Sequence, residues 1–577
     1  MSYKIRKAIT ERIIELVTSD RRTYLLSNLP AALELRKTGK APELHLPAIK
    51  ARNLFGENGA TLIKQIVDAK YDDRLISGAS TVINKENSRV PPTVVFRLNP
   101  DTFISDSLAG DSWEKQIIPK GQEKVVLDFS SPNIAKPFHV GHLRSTIIGN
   151  FIANLHKYLG DDVVKINYLG DWGTQLGMLQ VGLEMNQVSE AELKMNPIQT
   201  LYNAYVAANR EAATNSAVTE RARQVFAGLE TNQYPEGKKL WEKIREYTVE
   251  ELREIYGRLG VEFDEYAWES QYSQKDIQNV LVNLFEKGLL LDELDGKKVV
   301  EVGDRRVPVV KSDGSTLYLT RDIAAILDRV CRYKPDKIFY IVDNAQTDHF
   351  KALFHIATAL KPTLSKKALH VKFGRIKGMS TRSGNVIFLT DILDEARDIM
   401  AQKQIESPNT KIDLRNFDTS TADILGVSAV IINDLKQRRQ RDYEFSWDKV
   451  LQVTGDSGIR LQYTHCRLHS LITNVSIRLA TTPNPLLLTE PVAIDLVIEI
   501  ARFSETLLKA QESLEACVLV NYLFSLSNAT SRALKILKVK SEENRELQTQ
   551  RMLLFTTAKK VLQTGMKILG LQPLERM

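Results

Sequence analysis

Between Val125 and Gly160 the hydrophobic period changes once, and that change constrains what the rest of the chain can become. Val125, Leu127 and Phe129 alternate with Val126, Asp128 and Ser130, the period of a β-strand. Pro132 has no N–H to give a sheet ladder, so the strand is expected to stop there. Beyond a short loop, Leu143, Ile147, Phe151, Leu155 and Leu159 recur every fourth residue, one apolar face of a helix closed by Gly160. A second strand is expected over Val163 to Tyr168. Strand, helix, strand is the beginning of an α/β fold.

The loop itself carries chemistry. His139 and His142 fall three apart at or just before the helix N-terminus, on one side of it. Gly141 between them lets a flat ring or a phosphate approach the backbone. Free N–H groups, the helix dipole and Lys136 make this an anion site. A bare His-x-x-His is also compatible with capping, a packed core or metal ligation; the strand before it and Lys136 beside it favour the anion reading.

With 577 residues the chain is too long for one core, and three or four domains are expected. An apolar share of 43% and a charged share of 26% are those of an ordinary soluble protein. No run approaches the roughly 18 uninterrupted apolar residues of a membrane span. The net charge of +7 permits a polyanionic partner. Cys331, Cys466 and Cys517 are too far apart for a metal cluster or a disulfide framework, which suits a reducing compartment. The first ten residues hold Lys4, Arg6 and Lys7 with no acid, while Ile5, Ile9 and Ile13 keep helical spacing. That suits a short mitochondrial address or the first helix of a folded domain, and Glu11 and Glu15 favour the helix.

Taken in order, residues 1–115 mix a helical pattern (Ile5 to Val17) with strand-like runs such as Thr93 to Leu98, an α+β module. Asn99-Pro100-Asp101 and Asp106 to Gly110 read as turn or linker chemistry. Leu169-Gly170-Asp171-Trp172-Gly173 forms a tight turn at a strand's carboxyl end, where open α/β sheets keep their ligands. Residues 186 to about 260 are helical and polar, an insertion in which Tyr202, Tyr205 and Trp241 are read as packing. Tyr318 and Asp322 lead into a helix over Ile323 to Tyr333 and face one cleft. A carboxylate accepting two parallel N–H bonds, with a hydroxyl beside it, suits a guanidinium. Lys337 to Val342 is a further strand, with Gln346 and His349 at the helix start after it. Gly374 to Asn385 is rich in Gly, Ser and Thr, a loop with several phosphate donors. From about 426 the chain is helical, with helices expected over Ile459 to Leu479, Val492 to Leu514 and Thr549 to Leu569. Gln462, Tyr463, His465, Arg467 and Arg478 place aromatic and basic groups along one element, a surface suited to RNA.

His139-Val140-Gly141-His142 resembles the HIGH signature of class I aminoacyl-tRNA synthetases. Ser130-Ser131-Pro132-Asn133-Ile134-Ala135-Lys136 before it and Leu143-Arg144-Ser145-Thr146 after it are similar to arginyl-tRNA synthetases in particular, as are NYLGDWG, LYLTRD, GMSTRSG and LQYTHCRLHSL. The resemblance covers the chain after about residue 100. It implies a multidomain α/β plus all-α protein: an additional N-terminal α+β domain (1–115) gripping the tRNA elbow, a Rossmann-type catalytic domain (116–425) with the helical insertion at about 186–260, and a helical anticodon-binding domain (426–577). The implied reaction is ATP-dependent charging of tRNA-Arg with L-arginine, with Mg²⁺ arriving on ATP and no zinc.

Carried over residue by residue, the arginine pocket falls on Ser131, Pro132, Asn133, His142, Tyr318, Asp322 and Gln346. Asp128 stands where the family usually shows glutamate, keeping the charge with one methylene less reach. His139, His142 and Lys136 are the implied catalytic groups. The ATP site adds Gly141, Gly170, Asp171, His349, Met379, Ser380 and Arg382. The loop in the place of the KMSKS signature departs from it, since Gly378 and Thr381 occupy the lysine slots and Met379-Ser380 is what survives. The pyrophosphate is therefore assigned to Lys136, with Lys377 and Arg382 in support. The tRNA surface takes Gln462, Tyr463, His465, Arg467 and Arg478. The resemblance favours the mitochondrial branch, hence the matrix, with the cytoplasm as the alternative, and a monomer off the membrane. Two rivals stand beside this: a HIGH-type enzyme for another substrate, which would leave Asp322 unpaired, and a synthetase-like RNA-binding protein without catalysis, which the altered loop favours.

Overall fold

The computed structural model of the chain describes all residues except 1, 18, 39–40, 57–58, 83–91, 111–121, 135–137, 139, 231–232, 313, 379–387, 408–418, 453–454, 476 and 478. It divides into two units, residues 1–120 with 453–568 and 573–577, and residues 121–452 with 569–572.

The first unit begins with α1 (Ser2–Glu15), in which Ile5, Ile9 and Ile13 are fully buried, so the basic N-terminal run is a packed helix. After α2 (Ser19–Ala32) come β1 (Glu34–Thr38), β2 (Ala41–Leu46), α3 (Ala48–Phe55), α4 (Gly59–Asp68), β3 (Ile76–Val82) and β4 (Thr93–Leu98). The strands form an antiparallel sheet in the order β1-β2-β4-β3. The Asn99-Pro100-Asp101 run read as a linker is instead the start of α5 (Pro100–Leu108). Asn99 accepts from the N–H groups of Asp101 and Thr102, and Pro100 needs no partner in the first turn.

The second unit is built on five parallel strands. β5 (Lys124–Asp128) lies at the centre, with β6 (Asp162–Leu169) and β7 (Glu265–Trp268) to one side and β11 (Lys337–Asp343) and β12 (Ala368–Phe373) to the other. Leu127 sits between Lys165 and Phe339 in register. Helix α6 (Val140–Tyr158) follows β5 and buries Leu143, Ile147, Phe151, Leu155 and Leu159 as the period predicts. Gly149 lets it lie flat on the sheet, because a Cβ there would meet the Phe129 ring at 2.2 Å. The strand order reverses between β5 and β11, so the crevice at their carboxyl ends is where such a sheet holds a ligand. This is the expected Rossmann-type core.

Between β6 and β7 run α7 (Thr174–Met185), α8 (Glu190–Met195), α9 (Pro197–Ala212), α10 (Ser216–Glu230) and α11 (Pro235–Arg258). Leu176, Leu179, Leu201 and Ile244 form their shared core, which reaches Ile134 of the signature loop. Between β7 and β11 come α12 (Gln274–Glu286), a small antiparallel sheet of β8 (Leu291–Asp292), β9 (Lys298–Val302) and β10 (Arg305–Val310), and α13 (Tyr318–Tyr333). Helix α13 starts at Tyr318 rather than at Ile323, because Leu319 is buried and Thr320 Oγ1 donates to Val309 O at 2.7 Å, which pins the first turn. Tyr318 and Asp322 therefore sit one turn apart on one helix face. After β11 come α14 (Thr347–Leu360), β13 (Ile376–Lys377), α15 (Leu389–Glu406), α16 (Ser420–Leu435) and β14 (Tyr443–Glu444).

The rest of the first unit is helical: α17 (Gly458–Asn474), α18 (Pro491–Ala501), α19 (Phe503–Ser513), α20 (Ala516–Ile536) and α21 (Arg545–Ile568). The single helix expected over Val492 to Leu514 is two, broken at Arg502. Within this unit Arg6 of α1 is buried against Glu505 of α19 and also donates to Pro30 O at 2.6 Å. Among the described residues no helix is long and apolar enough to cross a membrane.

Candidate active site

β5 runs out at Asp128, and Ser130 and Ser131 after it both take left-handed backbone, with φ of 70° and 46°. Side chains with a Cβ resist that conformation, so it persists where neighbours hold it. Asp128 is one of the holders. Its Oδ1 accepts from Ser131 Oγ at 2.7 Å and its Oδ2 meets Arg329 Nη1 at 2.7 Å. Arg329 of α13 is 1% exposed, donates to the Tyr340 hydroxyl at 3.1 Å and lies over the Tyr168 ring. Asp128, named in the arginine-binding set, is placed instead in a buried ion pair with Arg329, both of its oxygens engaged within the fold.

The loop then crosses to β6. Gly170 N donates to Pro132 O and Ile134 N donates to Gly170 O, at 3.2 and 3.0 Å. A Cβ on Gly170 would come within 2.1 Å of Asn133 Oδ1, which explains the glycine in the tight turn. A cavity of about 280 Å³ opens here, lined by Asn133, Gly170, Asp171, Tyr205, Glu269 and Tyr318 among others. It brings together residues read as site residues from three separate stretches of sequence, around Asn133, Gly170 and Tyr318. Tyr205, read as packing, lines it too, while Trp241 does pack, with Nε1 donating to Asp171 O at 3.3 Å.

Asp171 is 1% exposed, and its carboxylate accepts from Ser270 N and Oγ at 2.9 and 2.7 Å with Arg245 Nε at 3.5 Å. Burial raises its pKa, which Ser270 and Arg245 partly oppose. Arg245 in turn lies over the Trp241 and Trp268 rings at 4.8 and 3.9 Å. The Asp171 side chain is therefore a strut of the cavity wall. Glu269, just past β7, was missed from sequence. It is 7% exposed, and burial pushes its carboxyl up to about 8 despite Arg321 at 3.7 Å, with Asp322 and Asp171 adding to the rise. The strand-end rule that singled out Gly170 and Asp171 applies equally to Trp268-Glu269-Ser270.

Asp322 Oδ2 lies 2.7 Å from His349 Nε2, joining a residue assigned to arginine with one assigned to ATP. Both remain about a quarter exposed, with room for a further partner. Gln346 ends the short turn after β11 and is exposed. On the far side of Tyr318 a second cavity of about 540 Å³ is lined by Arg305, Leu317, Asp348, His349 and Lys351 among others. Tyr318 is 57% exposed and stands between the two.

At the head of α6 the His142 ring stacks on Phe138, centroids 5.3 Å apart, and Gly141 is exposed. Lys136, His139, Met379, Ser380 and Arg382 lie outside the described residues. The stem of the KMSKS-position loop is described. Ile376 and Lys377 pair in parallel with Tyr443 and Glu444, and Lys377 Nζ lies 3.4 Å from Asp442 Oδ2. Arg144 of α6, 1% exposed, donates to Gly374 O at 2.8 Å and meets Asp434 Oδ2 at 2.9 Å, tying the signature helix to that stem.

The RNA surface expected along α17 is corrected for two of its members. Gln462 and His465 are 0% and 1% exposed. Gln462 Oε1 accepts from Leu574 N at 2.8 Å, and His465 Nδ1 lies 2.6 Å from Leu574 O. They hold the chain's last turn, and burial lowers the His465 pKa. Tyr463, 49% exposed, and Arg467, whose guanidinium lies 5.6 Å from the Tyr463 ring centroid, face outward. Arg478 lies outside the described residues.

Residues 104–447 match the family model for tRNA synthetases class I (R), catalytic domain, and residues 461–577 that for the DALR anticodon binding domain. The chain is 42% identical over 519 residues to the probable mitochondrial arginine–tRNA ligase of Homo sapiens, covering 89% of each. It is 40% identical to the probable cytoplasmic arginine–tRNA ligase of Dictyostelium discoideum, over 79% of this chain and 81% of that one. Among solved structures, the arginyl-tRNA synthetase of Thermus thermophilus superposes with a TM-score of 0.80 at 20% identity, over 100% of this chain and 99% of that one. That of Plasmodium falciparum gives 0.77 at 23% identity, over 99% and 98%. The last two establish the fold; with the family match and the 42% relative, they leave one conclusion, that the chain belongs to the arginine–tRNA ligase family of class I tRNA synthetases.

Proposed function

We propose that this chain is an arginine–tRNA ligase that activates L-arginine with ATP and transfers it to the terminal adenosine of tRNA-Arg. The observation that carries the reading is the acidic cavity at the carboxyl edge of the sheet, where Glu269 and Tyr318 meet Asn133 and Asp322 stands one helical turn from Tyr318. A guanidinium is the substrate group that such carboxylates and a hydroxyl satisfy together. Asn133 and Gln346 suit the α-ammonium and α-carboxylate.

The first displacement needs no general base, because a carboxylate is already a nucleophile. Its oxygen attacks the α-phosphorus of ATP, the bond to the bridging oxygen breaks, and pyrophosphate leaves. A ribose hydroxyl of the terminal adenosine then attacks the arginyl carbonyl, losing its proton as AMP departs. Catalysis consists of positioning and of stabilising charge on phosphate. His139, His142 and Lys136 are the groups assigned to that charge, with Lys377 and Arg382 in support. Magnesium is assigned to the phosphates of ATP. Carried on ATP, it would supply charge neutralisation on the leaving pyrophosphate.

In this reading residues 1–115 grip the tRNA elbow, 116–425 catalyse and 426–577 meet the anticodon, with Tyr463 and Arg467 on the RNA side. The protein is assigned to the mitochondrial matrix as a monomer. The matches to mitochondrial relatives support the compartment, while cytoplasmic relatives match almost as well. The test is charging of mitochondrial and cytosolic tRNA with labelled arginine, beside ATP–pyrophosphate exchange with and without tRNA. Charging with mitochondrial tRNA is expected. Tight tRNA binding with neither exchange nor charging would instead favour an RNA-binding protein without catalysis.

A further inference from the structure

We infer that Tyr256, near the end of the inserted helix α11, is a positioning residue for the arginine subsite, acting through the left-handed turn at Ser130 and Ser131. This rests on the arginine–tRNA ligase reading. Most of what holds the turn comes from the nucleotide fold itself. Ser130 N donates to Ser145 Oγ at 2.8 Å, and Ser145 Oγ to Ile341 O at 2.6 Å. Ser131 N donates to Asn167 Oδ1 at 3.1 Å, and Tyr168 N to Ser131 Oγ at 3.1 Å. Tyr256 arrives from outside that fold. Its hydroxyl lies 2.7 Å from Ser130 Oγ and 3.0 Å from Asn167 Nδ2.

The amide and the three hydroxyls form one connected hydrogen-bonded chain. Asn167 Nδ2 has protons to give and no lone pair, so the Tyr256 oxygen accepts from it and donates its own proton to Ser130 Oγ. Thr146 Oγ1 donates toward Ser130 Oγ at 2.8 Å and lies 2.8 Å from His142 O, which also accepts from it. Burial pushes the Tyr256 phenol up, so it keeps its proton at working pH. The hydroxyl thus stands between the residue that fixes Ser131 and the carbonyl of His142. Its ring does separate work. It meets Phe138 edge-on at 5.4 Å, and Phe138 stacks on the His142 ring.

Those two roles separate in Tyr256→Phe. The ring stays, so the His142 platform stays. The hydroxyl goes, leaving Ser130 Oγ and Asn167 Nδ2 buried and short of a partner, and the strained turn before Asn133 relaxes. In charging assays with purified full-length protein, KM for arginine is expected to rise roughly tenfold, the size of one buried hydrogen bond. KM for ATP should stay within about twofold of wild type, because the ring contacts behind it are unchanged. Ser130→Ala breaks the same chain and should give the same split, with the double variant no worse than the stronger single. A purely structural tyrosine would lower the melting temperature and leave the two KM values in their wild-type ratio, and that result overturns the inference. If Tyr256→Phe does not fold, Ser130→Ala decides by the same ratio. Wild-type protein that charges nothing takes down the ligase reading and this inference together. Ordinary wild-type charging with an unsplit ratio takes down this inference alone.

Discussion

The turn after β5 and the helix α17 carry the same kind of sequence signal, a short run of polar and aromatic residues inside an apolar pattern, and the structure treats them oppositely. At the turn, Asn133, Gly170 and Tyr318 converge on one cavity. On α17, Gln462 and His465 turn inward to hold Leu574 while Tyr463 and Arg467 face out. The difference lies in what the sequence pins. Pro132 and Gly170 fix the backbone, and a fixed backbone leaves few places for the side chains beside them. Helical spacing says which residues share a face and is silent on which face is inside.

The comparison predicts large activity effects at the turn and its cavity, and stability effects on α17. The largest effect on activity is expected for Asp322→Ala. If Asp322 meets the guanidinium, removing it leaves a cation in the cleft short of a charge partner, worth about 3–4 kcal/mol. The value of kcat/KM for arginine should fall about 10²- to 10³-fold. Retained charging would send the specificity to Glu269. Asp128→Ala acts differently, since it strands Arg329 in the core. It should lower unfolding free energy by about 3–5 kcal/mol, read as the midpoint of urea denaturation. An Asp128→Ala protein of wild-type stability that has lost arginine binding would restore the substrate contact.

The fold was legible where periods were long and simple. The central strands carry unbroken apolar runs, Val125 to Leu127 in β5 and Ile338 to Val342 in β11, and α6 repeats without a break, so both could be read from their residues. The break between α18 and α19 could not, because the run from Val492 to Leu514 carries no Gly and no Pro after the first turn of α18. It is marked by tertiary packing, and Leu514 ends α19 in left-handed backbone that no leucine advertises. Glu269 escaped notice because β7 has four residues of mixed polarity, too short for a period. Tyr256 lies 126 residues from Ser130, and nothing local to α11 points to it. The burial of Gln462 was readable in principle, since Ile459, Gln462 and Cys466 follow one stripe, three and then four apart.

That stripe gives the sharper form of the α17 contrast. Gln462→Leu strands the buried Leu574 N–H, so stability should fall by about 1–3 kcal/mol with KM for tRNA unchanged. Tyr463→Ala and Arg467→Ala touch solvent, so their unfolding midpoints should move by no more than about 0.5 kcal/mol. If they stack on and pair with RNA, KM for tRNA should rise about five- to tenfold in each. Unchanged tRNA affinity in both would remove α17 from the RNA surface.

The smallest effect is one of pH, and it ties the cavity to its charge. Glu269 titrates near 8 in the folded chain because it is buried, above its ordinary value of 4.5. The folded protein therefore binds this proton more tightly than the unfolded one does. The sign follows: the protonated carboxyl is tolerated at low pH, and this group's contribution falls as pH rises from about 4.5 to 8, then levels off. Glu269→Gln should flatten that part of the stability curve. A guanidinium beside Glu269 favours the ionised form, so arginine binding below pH 8 has to expel the proton. The KM for arginine should therefore fall a few-fold between pH 6.5 and 8.5 in wild type and vary less in Glu269→Gln. A wild-type KM that is flat across that range would place the guanidinium away from Glu269 and against Asp322, beside the contact that carboxylate makes with His349.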